Sequence, residues 1–415
     1  MIRRAAIVAI LLLPAPVSAE TLHDAVAAAY ATNPELAEAR ARQEAREEAP
    51  EQARAEGRPT LSAEVEGGYD RLGLGNAGSA NLTAIMPIWT GGRVPSAVRA
   101  ATADVAAGEQ RVRDREAAVL ERVVGAYAEL LFTQEAVEIA RIGIERLDRQ
   151  VDEARLRFDL GEATLTDVAQ LRAQRASVIA NLADAEAALA SARAAYRAVV
   201  GREPGELVAQ FSPSDALPPD LAAARSAAEA ANPLLLEQRR IADASAARID
   251  RARAERAPSL HMAGGYGRGT QLVGSSLRGF ESAATVGLTF RMPISTGGLV
   301  PSRVREAEAT YRAERFAVVA LEREAIRRVD TAWATLQAAQ LRLEASRDGL
   351  DAAELALNGV RAEYEFGLRS TLDILIAEQS YRGAQLAFAR SQSDMLTAQA
   401  AVLRASGRLD RDAYL

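Results

Sequence analysis

The chain has 415 residues, no Cys, two His and only 5 % aromatic side chains, so no disulfide brace, thiolate chemistry or lipid-bearing Cys is expected. With 50 basic against 56 acidic residues the net charge is -6, a balance that argues against a nucleic-acid partner. Ala, Arg, Glu, Leu and Val fill long stretches, a composition suited to long packed helices. Every basic residue is Arg; this reads as genomic base composition, and no function is drawn from it.

Residues 1–19 carry Arg3 and Arg4, an apolar run over 5–13 and a small-residue end, Val17-Ser18-Ala19. That order is the pattern of a cleaved secretory signal. The mature chain is expected to begin near Glu20, and losing Arg3 and Arg4 takes the charge from -6 to -8. A spanning helix is the poorer reading, because the apolar core falls far short of about 18 residues and Pro14 and Pro16 interrupt its end.

The next elements are a helical stretch over 21–56, ended near Pro59, and two extended runs over 61–69 and 81–89. In the first run Leu61, Ala63, Val65, Gly67 and Tyr69 alternate with Ser62, Glu64, Glu66 and Gly68. This period of two marks a strand with one apolar face, and runs of roughly 9 to 11 residues suit membrane-spanning strands. Pro87, Gly91, Gly92 and Pro95 follow in one frame. Pro cannot donate to a ladder, Gly supplies positive φ, and the last Pro fits a first helical turn, so the frame predicts a strand-to-helix corner.

From 96 to 201 no Pro occurs until Pro204. Val98, Val105, Val112 and Val119 fall seven apart, then Val123, Leu130, Val137, Ile144, Val151 and Phe158. These are coiled-coil heptads. Gly161 interrupts the run as a helix C-terminal glycine does, so 96–201 is expected to be a helical hairpin. Its first arm of about 60 residues would reach roughly 90 Å and its return arm roughly 55 Å. The stretch over 21–56 could stack on the shorter arm and complete the column.

The whole series is then written again, as internal repeats are. A helical stretch over 219–256 precedes extended runs at 260–266 and 282–294. The corner recurs as Pro293, Gly297, Gly298 and Pro301, the tip as Gly367, and the hairpin as 302–408. The offset is 206 without a gap across the helical part, where Tyr127 maps onto Trp333 and Asp167 onto Asp373. It shortens upstream, where Asn33-Pro34 matches Asn232-Pro233. The expected divisions are a signal at 1–19 and structural repeats at 20–212 and 213–415, with strands at about 60–90 and 259–294. The class is mainly α with a small β part.

Several motifs carry a resemblance to the TolC family of outer-membrane efflux and secretion proteins, and it covers essentially the whole mature chain. Thr21-Leu22, Ala25, Ala29-Tyr30 and Asn33-Pro34 resemble the family's N-terminal helix, Pro87–Pro95 and Pro293–Pro301 its corners, and 161–168 and 367–374 its tips. Leu372-Asp373, Ala377-Glu378-Gln379 and Ala405-Ser406-Gly407-Arg408-Leu409 are similar to members serving type I secretion. The resemblance implies a homotrimer with one 12-stranded β-barrel and a 12-helix periplasmic tube. It also implies an exit duct for a tripartite efflux or type I secretion system, with a periplasmic adaptor, an inner-membrane transporter and outer-membrane lipid as partners.

It further implies a narrow periplasmic tip. Asp373 matches the family's tip aspartate, Tyr364 and Arg369 its clasp residues, and Asp167 their acidic partner; a second tip aspartate of some members falls at Ile376. A ring of Asp373 side chains would favour cations. Both aspartates equally suit the first turn of a return helix, and Tyr364 and Arg369 equally suit a buried aromatic and a solvated charge. No metal-ligand spacing, G-x-S-x-G or P-loop occurs, so no cofactor, metal or enzyme activity is expected. The alternative is a periplasmic coiled-coil scaffold that never enters a membrane, since heptads alone fit a solid bundle.

Overall fold

The computed structural model describes residues 20–70, 75–208, 216–273 and 276–414. The expected signal segment lies outside them. In chain order the elements are α1 (Leu22–Thr32), α2 (Pro34–Glu47), α3 (Ala49–Ala55), β1 (Thr60–Asp70), β2 (Gly75–Trp89), α4 (Arg93–Asp159) and α5 (Leu165–Val200). The second series is α6 (Leu221–Ala231), α7 (Pro233–Ala254), β3 (Ser259–Val273), β4 (Ser276–Arg291), α8 (Leu299–Glu365) and α9 (Thr371–Ala405), closed by a short 3-10 turn, Arg411–Tyr414.

Two expectations need correction. The stretches before the strands are not single helices, because Pro34 and Pro233 force the residue before them out of the helical region. Asn33 and Asn232 take extended ψ values of 122° and 118°, and the Asn232 side chain caps the new helix by accepting from the Leu234 and Leu235 amides. In the first copy a further break at Glu48 precedes Pro50. The strands are also longer than the alternation suggested, since Gly-rich ladder ends carry no side-chain pattern, and β4 stops at Arg291, short of Pro293.

Two compact units are present, and they cross the repeats. One comprises Met1–Pro34, Glu116–Ala224 and Val329–Leu415, the other Glu35–Arg115 and Arg225–Arg328. Each draws on both copies.

In the first unit the heptad seam forms the core. Val119, Val123, Leu130, Val137 and Val151 of α4 and Val329, Leu336 and Leu357 of α8 are all buried. Nearer the hairpin ends, Leu147, Val151, Ala154, Val168, Leu171, Val178 and Leu375 form one cluster that joins α4, α5 and α9. Each fully buried leucine contributes about 1.5–3 kcal/mol. Glu20 closes this unit by main-chain bonds to the Glu206 carbonyl and the Val208 amide. Its buried carboxylate accepts from Tyr196 Oη (2.6 Å), Arg202 Nη2 (2.6 Å) and the Gly205 amide (2.7 Å). Tyr127 donates to the carbonyls of Glu20 and Val208, and burial pushes its phenol up to about 12.

The second unit holds the sheet, in the order β1-β2-β3-β4, antiparallel throughout. Its central pair, β2 with β3, joins one copy to the other, while β1 and β4 are its edges. Polar ties hold the helices of this unit. Gln43 Nε2 donates to the Val105 carbonyl at 3.1 Å, and Arg111 pairs with the nearly buried Glu237.

Candidate functional site: one sheet face and two hairpin tips

Register places like with like across the sheet. Leu61 stands opposite Ala84, Ala63 opposite Leu82 and Val65 opposite Ala80. Leu82 then faces Tyr266 and Met86 faces Met262, and Met262 faces Leu288, Leu260 Phe290. Because side chains alternate along a strand, these residues share one face, while Ser62, Glu64, Glu66, Thr83, Asn81 and Thr289 share the other. The apolar face is uncovered: Val65 is 82 % exposed and Val286 83 %. A contiguous exposed apolar surface of this extent marks contact with lipid or protein rather than with water.

At the foot of β2 the pairing slips between Pro87 and Trp89. Pro87 lacks the donor for a regular ladder, and the extra residue, Ile88, turns Trp89 onto the apolar face beside Leu260. Trp89 and Phe290 therefore sit at the end of that face, with Tyr69 and Tyr266 higher on it, as aromatic residues do at the borders of a lipid layer. The alternation in the sequence did not show this bulge.

Gly91 and Gly92 have φ of 62° and 87°, Gly297 and Gly298 57° and 85°, the left-handed region where a Cβ is costly. Pro95 and Pro301 lie in the first turns of α4 and α8. The two corners differ in surroundings. A Cβ on Gly91 would meet Ala257 Cβ and the Pro258 carbonyl at 2.7 Å, whereas Gly297 has nothing within 4 Å.

At the other end of the hairpins, Gly161 (φ 79°) and Gly367 (φ 76°) reverse the chain. Both return helices open on a capping box. Thr164 Oγ1 accepts from the Asp167 amide and Asp167 Oδ2 accepts from the Thr164 amide at 2.9 Å; Ser370 and Asp373 repeat this. The backbone bond from Thr164, then its hydroxyl, and more weakly Thr371 of the second hairpin hold Asp167 below the usual carboxylate range. The Ser370 amide, then its hydroxyl, do so for Asp373. Both aspartates are thus half-buried, ionised helix-start residues.

Within one chain Tyr364 and Arg369 do not meet Asp167. Tyr364 Oη accepts from Arg157 Nη1 at 3.2 Å, with the guanidinium 5.2 Å from the ring centre. Arg369 turns back to Glu363 at 2.6 Å; that carboxylate first, and then Asp373, raises its pKa. Behind them Glu378 of α9 is buried, its side chain 4 % exposed, and its Oε1 accepts from Gln150 Nε2 of α4 and Arg361 Nη2 of α8, both at 2.8 Å. Arg382, one turn on, lies across Gly143 of α4, where a Cβ would stand 3.1 Å from its Cδ. Burial lowers its pKa, Glu378 opposing and Arg146 assisting.

Arg157, Gln150, Arg361 and Glu363 were not singled out from the sequence. Charge reversals at the offset of 206 mark some of them. Arg157 corresponds to Glu363, and Glu378 to Arg172.

Among the described residues no helix is long and apolar enough to cross a membrane, and no group of acidic or His side chains is placed to hold a metal ion. A four-stranded antiparallel sheet with one uncovered apolar face, followed in each copy by a helical hairpin whose first arm runs roughly 100 Å, defines a channel-tunnel class of outer-membrane protein. The profile of the outer membrane efflux protein family matches residues 25–202 and 224–408, and the chain belongs to that family.

It is 28 % identical over 396 residues to the outer membrane efflux protein BepC of Brucella suis, covering 95 % of this chain and 86 % of that one. It is 28 % identical over 421 residues to the outer membrane protein TolC of Escherichia coli, covering 96 % and 84 %. The alkaline protease secretion protein AprF of Pseudomonas aeruginosa is 23 % identical over 320 residues, covering 76 % and 66 %. The crystal structure of CusC superposes with a TM-score of 0.80 at 19 % identity, over 93 % of this chain and 92 % of that one. The duplicated unit expected from the sequence is thus the family's fold, and the chain is an outer-membrane efflux or secretion channel rather than a free coiled-coil scaffold.

Proposed function

We infer that copies of this chain close head to tail into one barrel and form the exit duct of a tripartite efflux or type I secretion system. The observation that carries this is the sheet. Its apolar face suits hydrocarbon, yet β1 and β4 are open edges, and lipid offers no hydrogen-bond partner to an open edge. Pairing β4 of one copy with β1 of the next satisfies both. Three copies give the 12 strands and 12 helices that the family resemblance implies. The Cys-free chain is exported by a cleaved signal at 1–19 and is not a lipoprotein. A periplasmic adaptor and an inner-membrane transporter bring cargo to the tips, where Asp373 and Asp167 supply negative potential and Tyr364 and Arg369 restrain the entrance.

The test is membrane fractionation followed by planar-bilayer recording and light scattering in detergent. The mature protein is expected in the detergent-resistant outer membrane, as a trimer that conducts. Recovery in the periplasmic supernatant as a non-conducting species would refute the proposal.

A further inference from the structure

We propose that Glu378 is a positioning residue of the entrance, a buried second restraint that holds the two hairpins of a chain together when the exposed contacts at the tip are loosened. This rests on the channel reading above and adds to it a residue with a distinct physical character.

The tip contacts are solvent-exposed. Arg369 and Glu363, paired within the second hairpin, are each 47 % exposed, and Arg157, which donates across the hairpins to Tyr364, is 37 % exposed and also pairs with Glu153 of its own helix. Exposed pairs weaken as the screening length falls from about 10 Å at 0.1 M salt to about 3 Å at 1 M. Glu378 differs in being buried. A single oxygen receives one donor from each hairpin, Gln150 from the first and Arg361 from the second. Its place on α9 is fixed from both sides in sequence, by Leu375 in the apolar cluster with Leu147 and Val151 and by Arg382 across the bare backbone of Gly143.

Between this contact and the tip turns lies a cavity of about 200 Å³, bordered by Gln150, Arg157, Arg361 and Tyr364. The hairpins are therefore tied at two levels with unfilled space between. The outer tie between the hairpins is the half-exposed Arg157 guanidinium on Tyr364, an electrostatic contact that salt screens, and the inner one is shielded from salt because it is shielded from water. Seven residues separate Thr371 from Glu378, so the inner tie stands roughly 10 Å behind the start of α9.

The experiment is single-channel recording of the purified full-length protein, with conductance divided by bulk conductivity, from about 0.1 M to about 1 M KCl. The wild type is expected to give a constant ratio. Glu378→Gln is expected to give a ratio that climbs severalfold with salt, and Glu378→Asp, which keeps the charge, to restore most of the constancy. Gln150→Leu removes the same tie from the first hairpin's side and is expected to climb as Glu378→Gln does; it decides the matter should Glu378→Gln fail to assemble. A ratio as flat as the wild type's in these variants, even with a lowered melting temperature, overturns the proposal and leaves Glu378 as packing. Absence of any channel from the wild type would instead refute the reading on which it rests.

Discussion

Gly91→Ala and Gly297→Ala make the same chemical change in the same backbone geometry, with φ of 62° and 57°, yet different outcomes are expected. The left-handed conformation costs any L-residue about 1–2 kcal/mol, and the smaller freedom of Ala in the unfolded chain returns about 0.4–1 kcal/mol. These terms are common to both. At Gly91 the new methyl also meets Ala257 Cβ and the Pro258 carbonyl at 2.7 Å, and overpacking of that kind adds about 1–3 kcal/mol. At Gly297 nothing stands in the way within one chain.

Ala257 and Pro258 precede β3, and their counterparts before β1 are Arg58 and Pro59. If β4 pairs with β1 of another copy, Gly297 meets the other copy's Arg58 and Pro59 as Gly91 meets Ala257 and Pro258. Gly91→Ala is therefore expected to lower the yield and melting temperature of the folded chain itself. Gly297→Ala is expected to leave a helical, folded chain that assembles poorly. Far-UV circular dichroism reports the first effect, and size exclusion with light scattering the second. Equal behaviour of the two variants in both measurements would refute the head-to-tail pairing.

Further outcomes follow from the tips and from Glu20. Asp373→Ala is expected to lower cation preference in planar bilayers; unchanged selectivity would leave Asp373 as a helix-capping residue only. Arg369→Ala, which releases Glu363, is expected to raise conductance, and an unchanged value would place the restraint elsewhere. Burial pushes the Glu20 carboxyl up, but the bonds from Tyr196, the Gly205 amide and Arg202 together outweigh it and leave the pKa below its ordinary 4.5. A depressed folded value means stability that is present above about 4.5 and is lost as pH falls through the folded value. Melts below pH 4.5 are thus expected to fall more steeply for the wild type than for Glu20→Gln, and parallel curves would contradict this.

The features legible in the sequence were those that chain chemistry fixes locally. Gly161, Gly367 and the paired corner glycines announce positive φ, and valines seven apart announce a seam, wherever they fall. The breaks at Asn33 and Asn232 are equally local, but the Ala-rich pattern that continues through them hides them in the sequence. The Ile88 bulge and the Arg157–Tyr364 contact were not legible in this way, since each depends on which strand or helix of the other copy lies alongside. Glu378 sat in a recognised motif, but its burial between Gln150 and Arg361 is a property of packing that no spacing reveals.

The charge reversal between Arg172 and Glu378 has a consequence for variation. A ring of undivided single units would have identical seams, and any substitution would alter all of them at once. Duplication within one chain makes the seams alternate. In the ring proposed above, Glu378 would belong to the kind inside a chain, and Arg172, exposed in a single copy, to the kind between chains. Each kind could then accept substitutions without the other, so in such a ring the firmness of the entrance and the strength of subunit association would be separately adjustable traits.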